Sequence, residues 1–332
     1  MVKLQIIEAS GSYYDVGFAV GKATKTQILH LLKKTPRTRS TAKKYLDNFP
    51  LYYKYVQPFT DAINYLKGMA KAVDVSYLRL IKLNLSEMDR KVDDKCTTIV
   101  LKKEDSFLIG HNEDSSSHFD GMFLLKATLP NIKLFTFCYF GSLPGFSFTK
   151  NSFGLTISNN SLNANDKQLG VAKRFVLFLL CHVSSVEDAK ELLKNMRRSS
   201  GQNYIFHKGD IIVAAEASAT KISFLNIKKK YFHCNNYLFS EMLMFEGKLP
   251  SPRGTFIRSA DAKLTLSSIN SKEDLIRILS SHNHRPSCFC AHKELGDFNN
   301  TLGTIIFDGV NFFVAYGNPC QNSFQKLIPH FA

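Results

Sequence analysis

The sequence predicts an α+β fold in which two sheets of antiparallel strands are covered by layers of helices. The first part of the chain, up to Asp94, is dominated by segments with helical periodicity. From Cys96 onward, short alternating runs follow one another as hairpins, with pairs of helices between them. Interleaved hairpins and helices are typical of sheets that are packed against helices, and not of a pure β-sandwich.

The first part opens with a strand pattern over residues 1–8, and Gly11 to Gly21 reads as a turn that leads into a helix. Helical periodicity continues over residues 24–34. Two more helices are predicted at 58–73 and 76–92, where apolar residues recur every three or four positions. Glycines in the first helix would allow another helix to approach closely.

The remainder predicts three hairpins: 96–101 with 107–114, 122–129 with 132–140, and 304–307 with 311–317 around an Asp308-Gly309 turn. Further strands are predicted at 153–160, 203–207, 211–216 and 221–226, and further helices at 170–183, 185–196, 255–266 and 272–280. No internal repeat, low-complexity tract or long linker separates these elements.

Cys96 begins the first hairpin and Asp114 ends it, so antiparallel pairing would bring the thiol and the carboxylate to the same open end. A thiol beside a carboxylate at a strand end is a candidate nucleophile site. Free cysteines are also common as small buried side chains. Spacing alone leaves both interpretations open.

The chain has 332 residues and a formal net charge of +15. Such a charge is compatible with nucleic acid, an anionic membrane or acidic substrates. The basic residues are spread along the chain, and no zinc-finger, RNP or Walker pattern accompanies them. We therefore interpret the charge as a lysine-rich solvated surface and expect no nucleic-acid partner.

The seven cysteines are an odd number without framework spacing, which predicts a reducing compartment. Residues 1–8 lack the basic start and apolar core of a signal peptide. No apolar run reaches the roughly 18 residues that would span a membrane. We expect a cytoplasmic protein with no membrane span.

Six stretches together resemble one family, the acyl-coenzyme A:6-aminopenicillanic-acid acyltransferases. These are Ntn (N-terminal-nucleophile) hydrolases of the peptidase C45 type, related to the choloylglycine or bile-salt hydrolases. The stretches are the Gly11–Gly21 entry, Cys96-Thr97-Thr98, Gly110-His111-Asn112-Glu113-Asp114, Gly154-Leu155 through Asn160, His233-Cys234-Asn235-Asn236-Tyr237 and Gly317-Asn318-Pro319-Cys320.

The resemblance implies a four-layer αββα fold and a precursor that cleaves itself before Cys96. The products, a helix-rich segment 1–95 and a catalytic segment 96–332, would stay together as one structural domain. Cleavage would free an α-amine on the residue that carries the thiol. Because such an amine titrates near ~7.7–8.0, it would accept the thiol proton at neutral pH.

Further roles are implied residue by residue. Asp114 would accept a hydrogen bond from the α-amine and orient it. Asn235 would donate its side-chain N–H to the tetrahedral oxyanion. Asn160, or its neighbour Asn159, would complete that oxyanion hole or hold the substrate amide.

The family also places a basic residue near the nucleophile, for which Arg253 is the nearest match and Arg258 an equal alternative. Lys95 stands where the family often has glycine, His111 where related bile-salt hydrolases have arginine, and Asn236 where the oxyanion motif has histidine. These departures argue against a bile-acid substrate and bear on whether the chain is processed.

Cys288-Phe289-Cys290-Ala291-His292 places two thiols on one face of a short run, but no second Cys/His pair with finger spacing follows. We interpret this cluster as ordinary buried thiols, and His282-Asn283-His284 as a loop. The sequence therefore predicts neither a metal nor a cofactor.

We expect an enzyme that cleaves or forms a linear amide bond through a Cys96 thioester, acting on a small N-acyl amide or acyl-CoA substrate. Tyr139, Phe140, Phe146 and Phe148 flank the Gly141–Gly145 loop as core aromatics or as the lining of an acyl pocket. Two alternatives remain: a catalytically inactive relative that acts as a binding protein, and a nucleic-acid-binding protein.

Overall fold

The computed structural model describes residues 3–34, 47, 59–85, 96–115, 121–248, 252–297, 299–329 and 331. Its strands are β1 Gln5–Ser10, β2 Thr97–Lys102, β3 Phe107–Ser115, β4 Met122–Leu129, β5 Ile132–Tyr139, β6 Phe148–Asn151, β7 Thr156–Ser161, β8 Gln202–Lys208, β9 Ile211–Ala217, β10 Ile222–Asn226, β11 Lys230–His233, β12 Asn300–Phe307, β13 Phe312–Tyr316 and β14 Gln325–Leu327. Its helices are α1 Tyr13–Ala23, α2 Lys25–Lys34, α3 Phe59–Val73, α4 Tyr77–Asn84, α5 Lys173–Leu180, α6 Val186–Asn195, α7 Pro252–Thr265 and α8 Lys272–Leu279. Within these ranges, no helix combines the length and apolar character needed to cross a membrane.

The strands form two sheets. One has eight strands in the order β1-β4-β5-β6-β7-β8-β9-β10, and the other has six in the order β11-β2-β3-β12-β13-β14. Neighbouring strands are antiparallel, except that β1 pairs with β4 in parallel. Helices α1 and α6 contact the eight-stranded sheet, and α7 and α8 contact the six-stranded sheet. The predicted α+β class with two sheets between helix layers is confirmed.

The larger apolar cluster lies between the two sheets and under the N-terminal helices. Phe135 and Phe148 of the eight-stranded sheet pack against Phe312 of the other, with ring centroids 4.8 and 5.4 Å apart. A smaller cluster joins Ile99 and Leu101 of β2 to α8. The central strands of the six-stranded sheet are therefore buried on both faces.

Glycines set the distance between α1 and α3, as the sequence predicted for the first helix. A Cβ on Gly17 would lie 2.0 Å from the carbonyl oxygen of Tyr65, and one on Gly68 would lie 1.9 Å from that of Tyr14. Helix α1 begins with a capping box, in which Ser12 and Asp15 exchange hydrogen bonds. This packing brings the N-terminal segment onto the eight-stranded sheet.

All three predicted hairpins form, and the helix predicted at 58–73 is α3. The helix predicted at 76–92 is described only as α4, since residues 86–95 lie outside the described ranges. Strands β6, β11 and β14 were not predicted, because three or four residues are too few to show alternation.

Candidate active site

The hairpin of β2 and β3 positions Cys96 at the start of the strand pair. In this hairpin Thr97 pairs with Asn112 and Thr98 with His111, so Cys96 lies across from Glu113. Successive side chains point to opposite faces of the sheet. Cys96, Thr98, His111 and Glu113 therefore face the eight-stranded sheet, whereas Thr97, Asn112 and Asp114 face the layer of α7 and α8.

The thiol of Cys96 is buried, with 3% of the residue exposed. Its Sγ lies 3.3 Å from Oε1 of Glu113 and 3.9 Å from the main-chain carbonyl oxygen of Asp114. The thiol therefore has a carboxylate acceptor within hydrogen-bond reach, although the residue that supplies this carboxylate is the neighbour of the predicted one.

Glu113 is the centre of a buried polar network. Its Oε2 is 3.0 Å from Nε2 of His111, and the hydroxyl of Tyr139 donates to its Oε1. Burial by itself raises the pKa of Glu113, but hydrogen bonds from His111, Tyr139 and Ser147 and the charge of His111 bring that pKa below its ordinary value. The side chain is therefore a carboxylate at neutral pH.

The hydrogen-bond directions in this network fix the proton positions. Thr98 donates its hydroxyl proton to Oδ1 of Asn160 at 2.6 Å, so its oxygen accepts from Nδ1 of His111 at 2.8 Å. Nε2 of His111 lies 3.0 Å from Oε2 of Glu113. The network then runs from Asn160 through Thr98 and His111 to Glu113 and ends at the thiol of Cys96.

Arg258 contacts the main chain of Cys96. Its guanidinium donates to the carbonyl oxygen of Cys96 at 2.9 Å and to Oγ1 of Thr97 at 2.7 Å. A third hydrogen bond, 2.9 Å long, goes to Oδ1 of Asn235. Only 1% of Arg258 is exposed, which makes this arginine a fixed part of the strand start and not a solvated side chain.

Asn235 is oriented by these contacts. Because Oδ1 accepts from Arg258, the amide nitrogen points the other way, where it donates to the carbonyl oxygen of Ser161 at 2.9 Å. The loop that carries Asn235 is anchored by Glu216, which accepts from His233 and from the backbone N–H of Leu238. Arg258 therefore links the Asn235 amide to the main-chain carbonyl oxygen of Cys96.

The other residues predicted for the site are Asn160, its neighbour Asn159, and Asp114. Asn160 reaches Thr98 and the carbonyl oxygen of His233, whereas Asn159 points toward the Gly145 loop and Gln202. Asp114 accepts from Oγ1 of Thr301 at 2.6 Å on the helix-facing side.

Of the two arginine candidates, Arg258 contacts Cys96. Arg253 lies in the first turn of α7, and its side chain is outside the part that the structure describes. Sequence reasoning named Arg253 as the nearest match after the Asn235 motif, with Arg258 as an equal alternative. Side-chain packing of α7 against β2 is what brings Arg258 to Cys96.

Sequence reasoning also missed Glu113, His111 as a hydrogen-bond partner, and Tyr139 in a polar role. The hairpin register contains part of this signal, since pairing Cys96 across from Glu113 follows from the position of the turn. Phe146 packs on Tyr139 with ring centroids 4.9 Å apart, and Phe148 meets His111 edge-on with centroids 6.4 Å apart. Three of the four aromatics flanking the Gly141–Gly145 loop therefore lie beside the network.

One ligand atom from each of Cys96, His111 and Glu113 lies within 4.8 Å of the other two. In the part of the chain that the structure describes, this is one of two side-chain clusters that could hold a metal ion. Their polar atoms are already engaged with Thr98 and Tyr139. This arrangement suits proton transfer to and from the sulfur.

Comparison with known proteins matches the chain to one protein family. The family model of acyl-coenzyme A:6-aminopenicillanic acid acyl-transferase matches residues 100–316. The beta-alanyl-dopamine/carcinine hydrolase of Drosophila melanogaster is 24% identical over 230 residues, which are 57% of this chain and 57% of the fly protein. The match therefore spans little more than half the length of that relative.

Two solved structures are similar to the chain. A variant of the conjugated bile acid hydrolase from Clostridium perfringens has a TM-score of 0.45 and 14% identity, covering 70% of this chain and 97% of that one. Penicillin V acylase from Agrobacterium tumefaciens has a TM-score of 0.36 and 9% identity, covering 67% of this chain and 82% of that one.

Proposed function

Because the chain belongs to the acyl-coenzyme A:6-aminopenicillanic acid acyl-transferase family, we propose that it hydrolyses or forms a linear amide bond through a thioester on Cys96. The observation that carries this proposal is the position of Cys96, whose sulfur contacts the Glu113 carboxylate while Arg258 holds its carbonyl oxygen. A buried thiol with an ionised acceptor and a fixed backbone is prepared for nucleophilic attack.

We propose that maturation cuts the chain between Lys95 and Cys96. The Cys96 sulfur attacks the carbonyl carbon of Lys95, Glu113 takes the thiol proton, and that proton passes to the departing amide nitrogen. Breaking this C–N bond frees the α-amine of Cys96, and water then hydrolyses the resulting thioester to release the Lys95 carboxylate and the Cys96 thiol. Before cleavage no α-amine is available as a base, and the 3.3 Å contact makes Glu113 the nearest candidate.

After the cut, the new α-amine accepts the thiol proton in each catalytic cycle. Asp114 accepts a hydrogen bond from this amine and orients it. Asn235 and Asn160 donate to the tetrahedral oxyanion, and Arg258 positions Asn235 by holding its Oδ1. Deacylation by water gives an amidase, and deacylation by an amine gives an acyltransferase.

Residues 1–95 and 96–332 stay associated after cleavage in this proposal. Strand β1 pairs with β4 along six residues of the eight-stranded sheet, and α1 and α3 pack through their glycines. The seven cysteines are all free thiols, which supports a reducing, cytoplasmic location.

The substrate is a small molecule with an N-acyl amide or acyl-CoA group. Tyr139 and Phe146 pack together beside Glu113, and they would contact an apolar or aromatic part of it. The panel for testing contains N-acyl amino acids, acyl-CoA donors and conjugated bile acids. It also contains β-alanyl-dopamine and carcinine, since a relative is named for their hydrolysis.

The test compares the wild-type protein with Cys96→Ala by intact mass and by turnover of this panel. We expect two chains ending at Lys95 and beginning at Cys96 in the wild type, and one uncut, inactive chain in the variant. Cys138→Ala, which removes another buried thiol, is the matched control and should be cut and active.

A single intact wild-type chain that a thiol-directed acyl probe fails to label would instead identify an inactive relative that acts as a binding protein. Binding to nucleic acid that weakens steeply between low and moderate salt would favour the nucleic-acid alternative.

A further inference from the structure

Four metal-ligating side chains come together about the loop between α8 and β12, away from Cys96. His282, Cys290 and His292 belong to this loop, and Cys320 follows β13. Each offers one ligand atom, and the four atoms all lie within 4.8 Å of one another. Two imidazoles and two thiols are a frequent donor set of structural zinc sites.

Four of the six distances between the ligand atoms are about 0.2–0.5 Å shorter than those of tetrahedral zinc, so the four atoms are close enough to share one ion. The sulfurs of Cys290 and Cys320 are 3.6 Å apart, and the Nε2 atoms of His282 and His292 are 3.1 Å apart. Nε2 of His292 lies 3.4 Å from the sulfur of Cys290 and 3.1 Å from that of Cys320. Tetrahedral zinc with ordinary bond lengths separates two sulfurs by about 3.8 Å, a sulfur and a nitrogen by about 3.6 Å, and two nitrogens by about 3.3 Å.

The surrounding groups orient the ligands as they do in metal sites. Nδ1 of His292 lies 3.1 Å from the carboxylate of Glu294, so this nitrogen donates there and leaves the lone pair of Nε2 for a metal. Asn318 donates its side-chain N–H toward the sulfur of Cys290 at 3.6 Å, a contact that stabilises a thiolate. These hydrogen bonds make the cluster a built site and not a chance meeting of side chains.

We propose that His282, Cys290, His292 and Cys320 bind one structural Zn²⁺ ion. This departs from the expectation of ordinary thiols without a metal. The spacing of Cys288 and Cys290 did not indicate this site, because Cys288 is not one of the ligands. Its sulfur faces the carbonyl oxygen of Cys290 and the carboxylate of Asp297. The fourth ligand comes from a segment 30 residues beyond Cys290.

The ion would tie this loop to the segment after β13. Between Cys290 and His292, the backbone N–H of Ala291 donates to Oγ1 of Thr301, which in turn donates to Asp114. The side chain of Asn112 donates to the carbonyl oxygen of Phe289 in the same loop. Zinc would therefore hold the loop against β3, the strand that carries Asp114, whether or not the proposed reaction is correct.

The test measures zinc in full-length protein purified without chelator, by plasma mass spectrometry, in the wild type and in Cys320→Ser. Cys320 is exposed, so its replacement should leave the fold intact. We expect about one zinc per chain in the wild type and loss of nearly all of it in the variant. Cys288→Ser and Cys96→Ala are matched controls that should retain the metal.

A second measurement titrates the metal-stripped wild type with Co²⁺, whose thiolate charge-transfer and tetrahedral d–d bands report the donor set without any variant. Three results would overturn the proposal: no zinc together with no cobalt bands, zinc lost from Cys288→Ser or Cys96→Ala but kept in Cys320→Ser, or a Cys290–Cys320 disulfide in the peptide map of unreduced protein.

Discussion

The sulfur of Cys96 lies 3.3 Å from Oε1 of Glu113, a residue across the hairpin from it. Antiparallel pairing places the two side chains on the same face, between the sheets, where Glu113 is held ionised by His111 and Tyr139. Asp114, one position further along, projects to the opposite face. Of these two neighbouring carboxylates, Glu113 contacts the Cys96 sulfur, whereas Asp114 accepts a hydrogen bond from Thr301 on the other face.

The first prediction concerns Glu113 as the base for self-cleavage. Glu113→Gln should slow cleavage before Cys96 by about 100-fold or more, because the thiol loses its proton acceptor. The accumulation of uncut precursor in newly made protein, followed by intact mass, measures this.

The pH dependence of the same step follows from the lowered pKa of Glu113. The carboxylate persists in the folded protein down to a pH below its ordinary value near 4.5, so wild-type cleavage should fall only in acid below that value. Tyr139→Phe removes one hydrogen bond but keeps the carboxylate, and should slow cleavage less. Equal cleavage rates in wild type and Glu113→Gln would exclude Glu113 as the base.

The second prediction concerns Arg258. Arg258→Lys cannot hold the Cys96 carbonyl, Thr97 and Asn235 together, because an ammonium lacks the planar fork of the guanidinium. We expect a loss of about 2–4 kcal/mol in the free energy of unfolding, measured in urea. Turnover should fall further than stability explains, since Asn235 loses its orientation.

Arg277→Lys is the control for this substitution. Arg277 makes an exposed ion pair with Asp274, and such pairs contribute little. Its replacement should change the free energy of unfolding by no more than about 0.5 kcal/mol. If the two arginine variants were equally stable, the buried contacts of Arg258 would not contribute to the free energy of unfolding.

The third prediction concerns the glycine contact between α1 and α3. Gly68→Ala should destabilise the protein by about 2–4 kcal/mol, although alanine is the better helix former by about 1 kcal/mol. The reason is that the added Cβ would meet the carbonyl oxygen of Tyr14 at 1.9 Å. Thermal unfolding of the variant measures the effect.

Gly209→Ala separates this clash from backbone strain. Gly209 has φ +58° and no atom within 4 Å of an added Cβ, so only the left-handed backbone resists the change. We expect a cost of about 1 kcal/mol. A Gly68→Ala protein as stable as the wild type would mean that the helices separate without loss.

The fourth prediction is a pH dependence of stability that is due to His207. Burial lowers the pKa of His207 to about 4, with further lowering by Lys150 and Lys102 and a partly opposing hydrogen bond to Gly209. Folding therefore favours the neutral imidazole. This contribution is present above the unfolded pKa of 6.5 and is lost as the pH falls toward 4.

His207→Phe keeps the ring contact with Phe107 but cannot titrate. Between pH 7.5 and 4.5, the wild type should lose up to about 3 kcal/mol more than the variant in urea unfolding. His30→Gln, at an exposed position, is the control. Parallel pH profiles for wild type and His207→Phe would show that the imidazole is not the group responsible.

Local sequence patterns determined many of the secondary-structure elements of this protein. The hairpin of β2 and β3, its turn and its alternation put Cys96 at a strand start, and the order of six short stretches indicates the family. The helix caps at Ser12 and Ser185 are local features of the same kind, because a cap depends on residues only three positions away. These features depend on contacts between near neighbours in the chain.

Tertiary structure decided which side chains meet. Alternation separates Asn159 from Asn160, but both are buried, so the pattern does not say which of them faces Cys96. Five residues separate Arg253 from Arg258, about 140° around a helix, and only packing selects the inward side. Cys320 joins His282 and Cys290 through the path of the whole chain. Periodicity gives spacing along an element, whereas contacts between distant segments depend on how the sheets and helices are stacked.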